Sequence, residues 1–271
     1  MKYLFLTDAA DVAAYVEQGG VARVFIDLEQ LGKVERQGGQ DTVISQHSRE
    51  NILSVKNALK SAECLVRTNP LHPGTRSEVD YCIDAGADIL MLPMFRSAKE
   101  LTHYCQLVDG RVPVVPLMET KNALAEIESI VDVPGVSEVH FGLNDLKIDL
   151  GLSFLFQVVA QGALDHAAEV CGAAQMAFGI GGVGRIGHGM IPGDYVLGEY
   201  LRLGAQATIL SRAFHERARD LADLKSKVDF PTEMERLLAA EARLKSRSVA
   251  EVESDRQRFC RAVEAVVKKA A

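Results

Sequence analysis

The sequence predicts a (β/α)8 barrel followed by a helical extension. Eight short apolar runs rich in β-forming residues alternate with segments of helical periodicity, and small-residue stops such as Gly19-Gly20 and Gly204-Ala205 precede several runs. Strands that alternate with helices must pair in parallel, and eight such units in about 215 residues have the size of this barrel. An open doubly wound sheet is the alternative, but the first run ends in Leu6-Thr7-Asp8 and not in the Gly-rich turn typical of that fold.

The predicted strands follow one another at regular intervals along the chain. They are YLFLT (3–7), ARVFIDLE (22–29), CLVRTN (64–69), DILMLPM (88–94), VPVVPLMET (112–120), EVHFGLND (138–145), MAFGIGG (176–182) and ATILSRA (207–213). The helical patterns between them include DAADVAAYVEQ, SRENILSVKNALK, SEVDYCIDAG, SAKELTHYCQLV, NALAEIESIV and SFLFQVVAQGALDHAAEVCG. We therefore assign residues 1–228 to the barrel.

The last part of the chain, residues 229–271, has a different pattern. Two S/T-x-x-E capping boxes, at Thr232 and at Ser248, predict the start of two helices. Within the second helix an apolar stripe is formed by Val252, Phe259, Val263 and Val266. This stripe packs either on the chain's own barrel or against another subunit, and the sequence leaves both arrangements open.

Composition and charge exclude several classes of protein. The 37 acidic and 30 basic residues give a net charge of −7 without a basic block, so we expect no nucleic-acid surface. No apolar run approaches the roughly 18 residues that span a bilayer, and Asp8 interrupts any signal-peptide core, so we expect a cytoplasmic protein without membrane contact. Five cysteines without a C-x-x-C pair predict reduced thiols and no disulfide framework.

Polar side chains at the predicted strand ends form the candidate site, because barrel enzymes work at the carboxyl ends of their strands. Glu119 and Asp145 end neighbouring strands, and two carboxylates with room for waters suit a hard cation such as Mg²⁺. Alternatively, each carboxylate caps the segment that follows it. Arg67 lies in an apolar strand, where it either binds a substrate carboxylate or enolate oxygen or forms a salt bridge with a neighbouring carboxylate.

The order and placement of several segments resemble a known family. The segments VFIDLE, LVRTNP, DILMLP, METKNAL and FGLNDL resemble the HpcH/HpaI aldolase and citrate lyase β-subunit family of pyruvate-binding barrels, over about residues 20 to 215. The most specific parts are E-T-x-x-A at 119–123 and G-x-x-D-L at 142–146. The resemblance implies cleavage or formation of a carbon–carbon bond beside a 2-oxo acid or acyl thioester, through a metal-stabilised enolate. It also implies a homo-oligomer, either a trimer or a hexamer.

The resemblance assigns roles to individual residues. Glu119 and Asp145 would bind Mg²⁺ or Mn²⁺, and Arg67 would contact the enolate oxygen. Asp27 and Glu29 match a D-x-E motif and would surround metal-bound water. Breaking the bond also requires a base that takes the proton of the departing hydroxyl group.

One departure from the family pattern concerns this base. In the aldolase branch the D-x-E motif is followed by His, where this chain has Gln30, so the identity of the base stays open. The Gly-rich loop that follows carries Lys33, Arg36 and His47. We expect Lys33 and Arg36 to meet carboxylate or phosphate groups of the substrate. His47 is either an acid or base in the reaction or a surface residue at a helix N-terminus.

Two further segments are candidates for substrate contact. Pro93 matches the family's L-P turn beside the ligand. Gly181 and Gly182, with Arg185 just beyond them, either hold an anionic group through backbone N–H groups or form a tight turn.

Other functions remain open at this stage. A Schiff-base aldolase would use Lys121 or Lys147, although both fit solvent-facing helix positions better. A synthase would run the same enolate chemistry in the condensing direction. A non-catalytic barrel would bind a small acid, but charged residues at three separate strand ends argue against that function.

Overall fold

Eight parallel strands close into a barrel in the order in which they occur in the chain. The structure, a computed structural model, describes residues 1–33 and 47–270. The strands are β1 (Lys2–Leu6), β2 (Arg23–Asp27), β3 (Glu63–Arg67), β4 (Ile89–Leu92), β5 (Val114–Met118), β6 (Val139–Gly142), β7 (Phe178–Val183) and β8 (Ala207–Leu210). Strand β1 pairs with both β2 and β8, which closes the sheet. The predicted (β/α)8 barrel is confirmed.

Helices surround the barrel and continue beyond it. In the described residues they are α1 (Ala10–Gln18), α2 (Ile52–Ala58), α3 (Thr75–Asp84), α4 (Ala98–Val108), α5 (Lys121–Ala125), α6 (Ile127–Val131), α7 (Leu143–Asp149), α8 (Gln157–Ala160), α9 (Asp165–Ala173), α10 (Gly193–Leu203), α11 (Leu221–Lys227), α12 (Phe230–Lys245) and α13 (Val249–Ala270). Short 3-10 turns occupy Arg49–Asn51 and Arg212–Phe214. Because helices cover the outside of the sheet, the strands are buried on both faces.

Successive side chains of each strand point alternately into and out of the barrel. Phe25, Leu65 and Leu117 belong to the apolar cluster inside it, whereas a larger cluster fills the space between sheet and helices. In the register of β2 and β3, Arg23 lies beside Glu63 and Asp27 lies beside Arg67. The two strands therefore place charged groups at both ends of the barrel interior, with an apolar layer between them.

The element after β6 differs from the prediction. The predicted strand runs to Asp145, but β6 ends at Gly142 and α7 begins at Leu143. Leu143 and Leu146 are both buried, and their spacing of three residues brings them to one face of a helix. Asp145 therefore lies in the first turn of α7, where the positive end of the helix dipole favours a carboxylate.

Two predicted helices are interrupted. The segment after β5 forms α5 and α6, which are separated at Glu126. The segment after α7 forms α8 and α9, and Gly162 between them has a φ of +76°, which ends the first helix. Neither interruption changes the order of strands around the barrel.

The C-terminal helices begin at two caps, one of which was predicted correctly. Ser248 and Glu251 form the predicted capping box at the start of α13, since each side chain accepts a hydrogen bond from the other's backbone N–H. Thr232 is not the cap of α12, because Asp229 accepts the N–H of Thr232 and the helix begins at Phe230. Phe259 and Val263 of the apolar stripe are buried against the chain's own core, where α13 packs on α10 and α8.

The cysteines agree with the prediction of reduced thiols. All five are free, and Cys64, Cys82, Cys105 and Cys171 are buried among apolar side chains. In the described part of the chain, no helix is both long and apolar enough to cross a membrane.

Candidate active site

The carboxyl ends of the strands surround a cavity of about 870 Å³. Of the residues predicted for the site, the cavity is lined by Asp27, Lys33, Arg67, Glu119, Asp145, Gly181 and Gly182. Pro93 is buried after β4 and is not among the lining residues, and Arg36 lies outside the described residues. A cavity of this volume lies in the range typical of small-molecule sites in proteins.

Arg67 is held at the mouth of the barrel by Asp27. Its Nε and Nη2 atoms donate to the two carboxylate oxygens of Asp27, each at 2.8 Å. The guanidinium group also lies 5.5 Å from the ring centroid of Phe25, which supports it from below. A guanidinium held by two hydrogen bonds along one edge has little freedom to rotate, so the direction of its remaining Nη1 group is defined.

Lys33 binds the same carboxylates as Arg67, those of Asp27 and Glu29. Its Nζ lies 2.7 Å from Asp27 Oδ2 and 3.4 Å from Glu29 Oε2, and Glu29 Oε2 is also 3.4 Å from Arg67 Nη2. Burial would raise the pKa of Asp27, but the charges of Arg67 and Lys33 outweigh burial and hold that pKa well below its usual range. Asp27 is therefore a permanent anion that orders two cations at the cavity wall.

Glu119 and Asp145 are the two carboxylates predicted to bind a metal ion. Both line the cavity, and only 4% of Glu119 and 5% of Asp145 are exposed. Glu119 passes over Gly142, where a Cβ atom would lie 2.6 Å from Glu119 Cγ. Its Oε1 lies 3.8 Å from Arg67 Nη1. The free edge of Arg67 is therefore turned toward the carboxylate that follows β5.

These two carboxylates suit a magnesium ion, which needs only one or two protein ligands. They suit less well a metal ion whose ligands all come from the protein. Among residues 1–33 and 47–270, no group of three or more His, Cys, Asp or Glu side chains could hold a metal ion. Mg²⁺, however, is typically bound by one or two carboxylates, and waters or substrate oxygens complete its coordination. Buried oxygen ligands beside an open cavity are the donor set that such an ion requires.

His47 also lies at the candidate site, a position that the sequence had left open. Its Nδ1 accepts the backbone N–H of Asp27 at 3.0 Å, and its Nε2 is 3.9 Å from Asp8 Oδ1. Burial lowers the pKa of His47, and together with the charges of Lys33 and Arg67 it outweighs the carboxylates Asp8 and Asp27, which raise that pKa. The ring is therefore neutral at pH 7, and since Nδ1 accepts a hydrogen bond, the proton resides on Nε2.

The backbone N–H that fixes His47 is a long-range contact, which sequence spacing does not reveal. Asp8 helps to place it, because Asp8 Oδ2 accepts hydrogen bonds from Ser48 N and Asn51 Nδ2. Gln30, which stands where the aldolase branch has His, lines a second cavity of about 560 Å³ beside the first. His47 thus faces the main cavity from a position seventeen residues later in the chain.

The sequence pattern missed a second group of cavity residues, because it extended the eighth strand to residue 213. That strand ends at Leu210, and Arg212, His215 and Arg217 follow in a loop that lines the cavity. The sequence signal that could have found them is the density of basic residues in SRAFHERARD, directly after the eighth strand.

The two glycines near the end of β7 also line the cavity, but Arg185 beyond them does not. Gly181 and Gly182 lie at the cavity wall, and their carbonyl oxygens accept hydrogen bonds from the Tyr200 hydroxyl. Arg185 is bound to Glu216 at 2.5 Å. An anionic ligand beside these glycines would therefore meet backbone groups and not Arg185.

Comparisons with known proteins show what the chain is similar to. A family model described as HpcH/HpaI aldolase/citrate lyase matches residues 8–180. The 4-hydroxy-2-oxo-heptane-1,7-dioate aldolase of Salmonella typhimurium is 23% identical over 197 residues, which cover 59% of this chain and 70% of the relative.

Solved structures share the fold at lower identity. An HpcH/HpaI aldolase/citrate lyase family protein from Burkholderia cenocepacia J2315 superposes with a TM-score of 0.63 and 17% identity, covering 84% of this chain and 95% of the other. The citrate synthase SbnG has a TM-score of 0.60 and 15% identity, with coverage of 83% and 93%. At such identities the structural likeness concerns the fold alone.

Proposed function

Since the chain belongs to the HpcH/HpaI aldolase/citrate lyase family, a family of carbon–carbon lyases, we propose that it acts on a 2-oxo acid or acyl thioester with the help of Mg²⁺ or Mn²⁺. The observation that carries this proposal is the meeting of Arg67, Glu119 and Asp145 at one cavity, although they come from three different segments of the barrel. Barrel stability alone does not require three buried charges at the mouth.

Glu119 and Asp145 are the residues that would hold the ion. When bound, a divalent cation offsets the negative charge that develops on the oxygen of an enolate. The acidic excess around the cavity supports this assignment, because buried carboxylates are costly unless a cation accompanies them. Asp27 and Glu29 would then hold the two cationic side chains. Of the two carboxylates, Asp27 lines the cavity, where it would border metal-bound water.

Arg67 would bind the substrate oxygen that becomes the enolate. Its position is fixed before the substrate arrives, because Asp27 accepts two hydrogen bonds from one edge of the guanidinium. A preorganised cation stabilises developing charge without the reorganisation that water would need. Lys33 adds a second positive charge on the same wall, and we propose Lys33 and Arg36 as further contacts for a substrate carboxylate or phosphate.

His47 would donate a hydrogen bond to the substrate hydroxyl or carbonyl oxygen. Its Nδ1 is occupied by the N–H of Asp27, so its Nε2 carries the proton and cannot accept another one. This arrangement argues against His47 as the base that removes the hydroxyl proton. A neutral imidazole that polarises a carbonyl oxygen is an established catalytic role.

The same site serves both directions of the reaction, because bond cleavage and bond formation share the enolate. In the condensing direction the chain would be a synthase, the activity named for its structural neighbour SbnG. The assay must therefore offer oxaloacetate and acetyl-coenzyme A as well as pyruvate with an aldehyde.

Calorimetry with Glu119→Gln tests the proposed site. We expect pyruvate to bind the unmodified protein only in the presence of Mg²⁺ or Mn²⁺, and the variant to lose that binding. Glu128→Gln is the matched control, because Glu128 is an exposed glutamate on α6. Pyruvate binding by Glu119→Gln at the original affinity would overturn the assignment, and failure of every 2-oxo acid to bind with either metal would favour a non-catalytic barrel.

The Schiff-base alternative has a separate test. Lys121 is exposed at the start of α5, and Lys147 lies in the last turn of α7. We expect borohydride with pyruvate to leave activity intact and a chelator to remove it. Inactivation by borohydride that survives chelation would replace the metal mechanism.

The oligomeric state and the role of the C-terminal segment are also proposals. The family resemblance supports a trimer or hexamer, with residues 229–271 as an extension of the barrel domain formed by residues 1–228. Sedimentation of the purified chain measures this directly, and a monomer at micromolar concentration would contradict it.

A further inference from the structure

Asp8 follows β1 and lies at the mouth of the barrel, beside His47. Its side chain lines the main cavity and is 24% exposed. Ser48 N and Asn51 Nδ2 donate to Asp8 Oδ2 at 3.0 and 2.8 Å, so the carboxylate has a fixed orientation. Its other oxygen, Oδ1, accepts no hydrogen bond from the residues that the structure describes, and His47 Nε2 lies 3.9 Å away. Within that part of the chain, Asp8 thus keeps one acceptor oxygen for a ligand.

The separation between Asp8 Oδ1 and His47 Nε2 is too long for a direct hydrogen bond, but it suits a hydroxyl group placed between them. Hydrogen bonds of about 2.8 Å on each side allow one oxygen atom to contact both groups. Such an oxygen would accept the Nε2–H of His47, whose position is set by the hydrogen bond at Nδ1. It would donate its own proton to Asp8 Oδ1. The pair therefore matches the two roles of a hydroxyl group, acceptor and donor.

Asp8 is connected to the proposed enolate site by a series of contacts around the mouth. Glu119 Oε1 lies 3.8 Å from Arg67 Nη1, and Arg67 binds the carboxylate of Asp27. The backbone N–H of Asp27 holds His47, which in turn lies beside Asp8. Because β1 and β5 are four strands apart in an eight-stranded barrel, Asp8 and Glu119 lie on opposite sides of the mouth. A substrate held at Arg67 thus has Asp8 across the cavity from the proposed metal ligand.

The other acids and imidazoles that line the described part of the cavity are less suited to take a proton. Burial raises the pKa of Asp27, but two neighbouring cations outweigh burial and hold that pKa well below its usual range. In the neutral rings of His47 and His215, Nδ1 accepts a backbone N–H, so Nε2 already carries the proton. Asp220 is exposed and caps α11. Apart from the two proposed metal ligands, Asp8 is therefore the acceptor best placed for a substrate hydroxyl.

We propose that Asp8 is the base that takes the hydroxyl proton in bond cleavage, with His47 as the hydrogen-bond donor to the same oxygen. This inference rests on the proposed lyase function and adds the base that Gln30 cannot supply. In cleavage, the hydroxyl proton moves to Asp8 Oδ1, and the O–H electron pair forms the new carbonyl bond. The electron pair of the broken carbon–carbon bond forms the enolate, which takes a proton from solvent. Asp8 then releases its proton to solvent, so the carboxylate is regenerated without oxidation or reduction.

Two reactions of the pyruvate enolate separate this role from a structural one. Condensation of pyruvate with acetaldehyde, glycolaldehyde or glyoxylate must place a proton on the acceptor oxygen. Decarboxylation of oxaloacetate forms the same enolate and involves no hydroxyl group. In the presence of Mg²⁺, and above the rate with Mg²⁺ alone, we expect Asp8→Asn to lower kcat for condensation by about 10²–10⁴-fold and kcat for decarboxylation by less than about threefold.

The variant should fold, because asparagine has the shape of aspartate and keeps an oxygen for the hydrogen bonds from Ser48 and Asn51. Retained decarboxylation would itself show that the site is intact. Asp11→Asn is the matched control, because Asp11 is an exposed aspartate in the first turn of α1. It should leave both reactions unchanged.

Asn51→Ala tests whether Asp8 acts only by ordering residues 48–51. It removes one hydrogen bond to Asp8 and keeps the carboxylate, so we expect condensation to fall by at most about tenfold. A loss as large as that of Asp8→Asn would overturn the inference, as would equal losses of Asp8→Asn in both reactions or no loss in either. These outcomes leave the lyase function standing.

The unmodified protein supplies the remaining comparison. Decarboxylation without condensation of any of the three acceptors would overturn the inference, because the site would then form the enolate without handling a hydroxyl proton. Absence of both reactions would count against the proposed function instead.

Discussion

Two arginines lie inside the barrel on neighbouring strands, and they differ in what surrounds them. Arg23 of β2 lies at the amino end, where its Nη1 binds both oxygens of Glu138 at 2.8 and 2.9 Å and its Nε binds Glu63 at 2.8 Å. Arg67 of β3 lies at the mouth and binds Asp27 through two hydrogen bonds of 2.8 Å. Arg23 is buried and Arg67 is half-buried, and each binds both oxygens of one carboxylate.

The difference lies in the balance of charge and in access to the cavity. At the amino end one arginine meets two carboxylates, and neither Arg23 nor Glu138 lines the mouth cavity. At the mouth Arg67 and Lys33 accompany four carboxylates, namely Asp27, Glu29, Glu119 and Asp145. The same type of ion pair is thus charge-compensated at the amino end, whereas at the mouth it lies within an acidic excess beside an open cavity. In barrels of this kind the first arrangement serves stability and the second serves function.

Arg23→Met should cause the largest loss of stability. Removing one partner of a buried pair leaves Glu138 as an uncompensated charge, which costs about 3–5 kcal/mol in the free energy of unfolding. The folded fraction should keep its kcat. Denaturant unfolding with parallel kinetics measures both quantities, with Arg236→Gln as the surface control. A large fall in kcat without a loss of stability would contradict the structural role of Arg23.

Arg67→Met should affect catalysis instead. Loss of a preorganised group that stabilises developing charge lowers kcat by about 10²–10³-fold. We expect the variant to fold, because Lys33 still offsets the charge of Asp27. Circular dichroism checks the fold before activity is measured. Arg67→Lys should recover little of the lost kcat, because an ammonium group cannot form the pair of parallel hydrogen bonds that the guanidinium makes with Asp27. If turnover of Arg67→Met stays within about tenfold of the original, Arg67 is structural.

His140 lies in the layer between the two arginines, and its replacement should stabilise the protein. The imidazole on β6 is fully buried, and neither ring nitrogen has a hydrogen-bond partner among the described residues. Burial lowers its pKa to about 3, with the charges of Arg23 and Arg67 adding to the effect, so the ring is neutral. His140→Phe removes the unsatisfied polar atoms and should raise the free energy of unfolding by about 1–3 kcal/mol.

Gly179→Ala is the companion variant for this prediction. A Cβ atom there would lie within 2.5 Å of His140 ring atoms, so the single variant should be less stable. Removing the ring in His140→Ala should relieve that clash, and the two changes should therefore be non-additive. A lower thermal stability of His140→Phe would contradict the prediction, because it would show that the imidazole stabilises the folded protein.

The smallest expected effect is a pH dependence of activity from His47. Its pKa lies below the ordinary value of about 6.5 because of burial, so the neutral form with Nε2–H persists at pH 7. Protonation at lower pH places a second proton on Nδ1 and breaks the hydrogen bond from Asp27 N–H. Activity should therefore fall on the acid side, at a pH below 6.5. His47→Asn should be less active and should lack this acid limb, and a profile identical to that of the unmodified protein would remove His47 from the mechanism.

The sequence predicted the barrel well because each strand carries its own local signal. Apolar β-rich runs mark all eight strands, and the charged residues within or directly after β2, β3 and β5 predicted Asp27, Arg67 and Glu119 at the mouth. Asp145 was predicted at the mouth but in the wrong element, because Leu143 and Leu146 extend an apolar run across the end of β6.

Contacts between distant segments could not be read from the sequence. Lys33 was predicted to meet a ligand, and its ion pair with Asp27, six residues earlier, is a contact that the sequence pattern does not reveal. The surface alternative for His47 is wrong, because a backbone N–H twenty residues earlier holds its ring at the cavity. Local patterns therefore predict which strand end a residue occupies, whereas its hydrogen-bond partners depend on tertiary packing.

The close approach of Glu119 to Gly142 has a consequence for how the sequence can change over time. Any side chain at 142 would overlap Glu119, so each position restricts the substitutions that the other tolerates. A glutamate at 119 in this conformation therefore requires glycine at 142. Once 119 has lost its long side chain, the restriction on 142 disappears, and a larger residue that settles there would block the return of the carboxylate. The loss of the proposed metal ligand would then be hard to reverse by a single substitution.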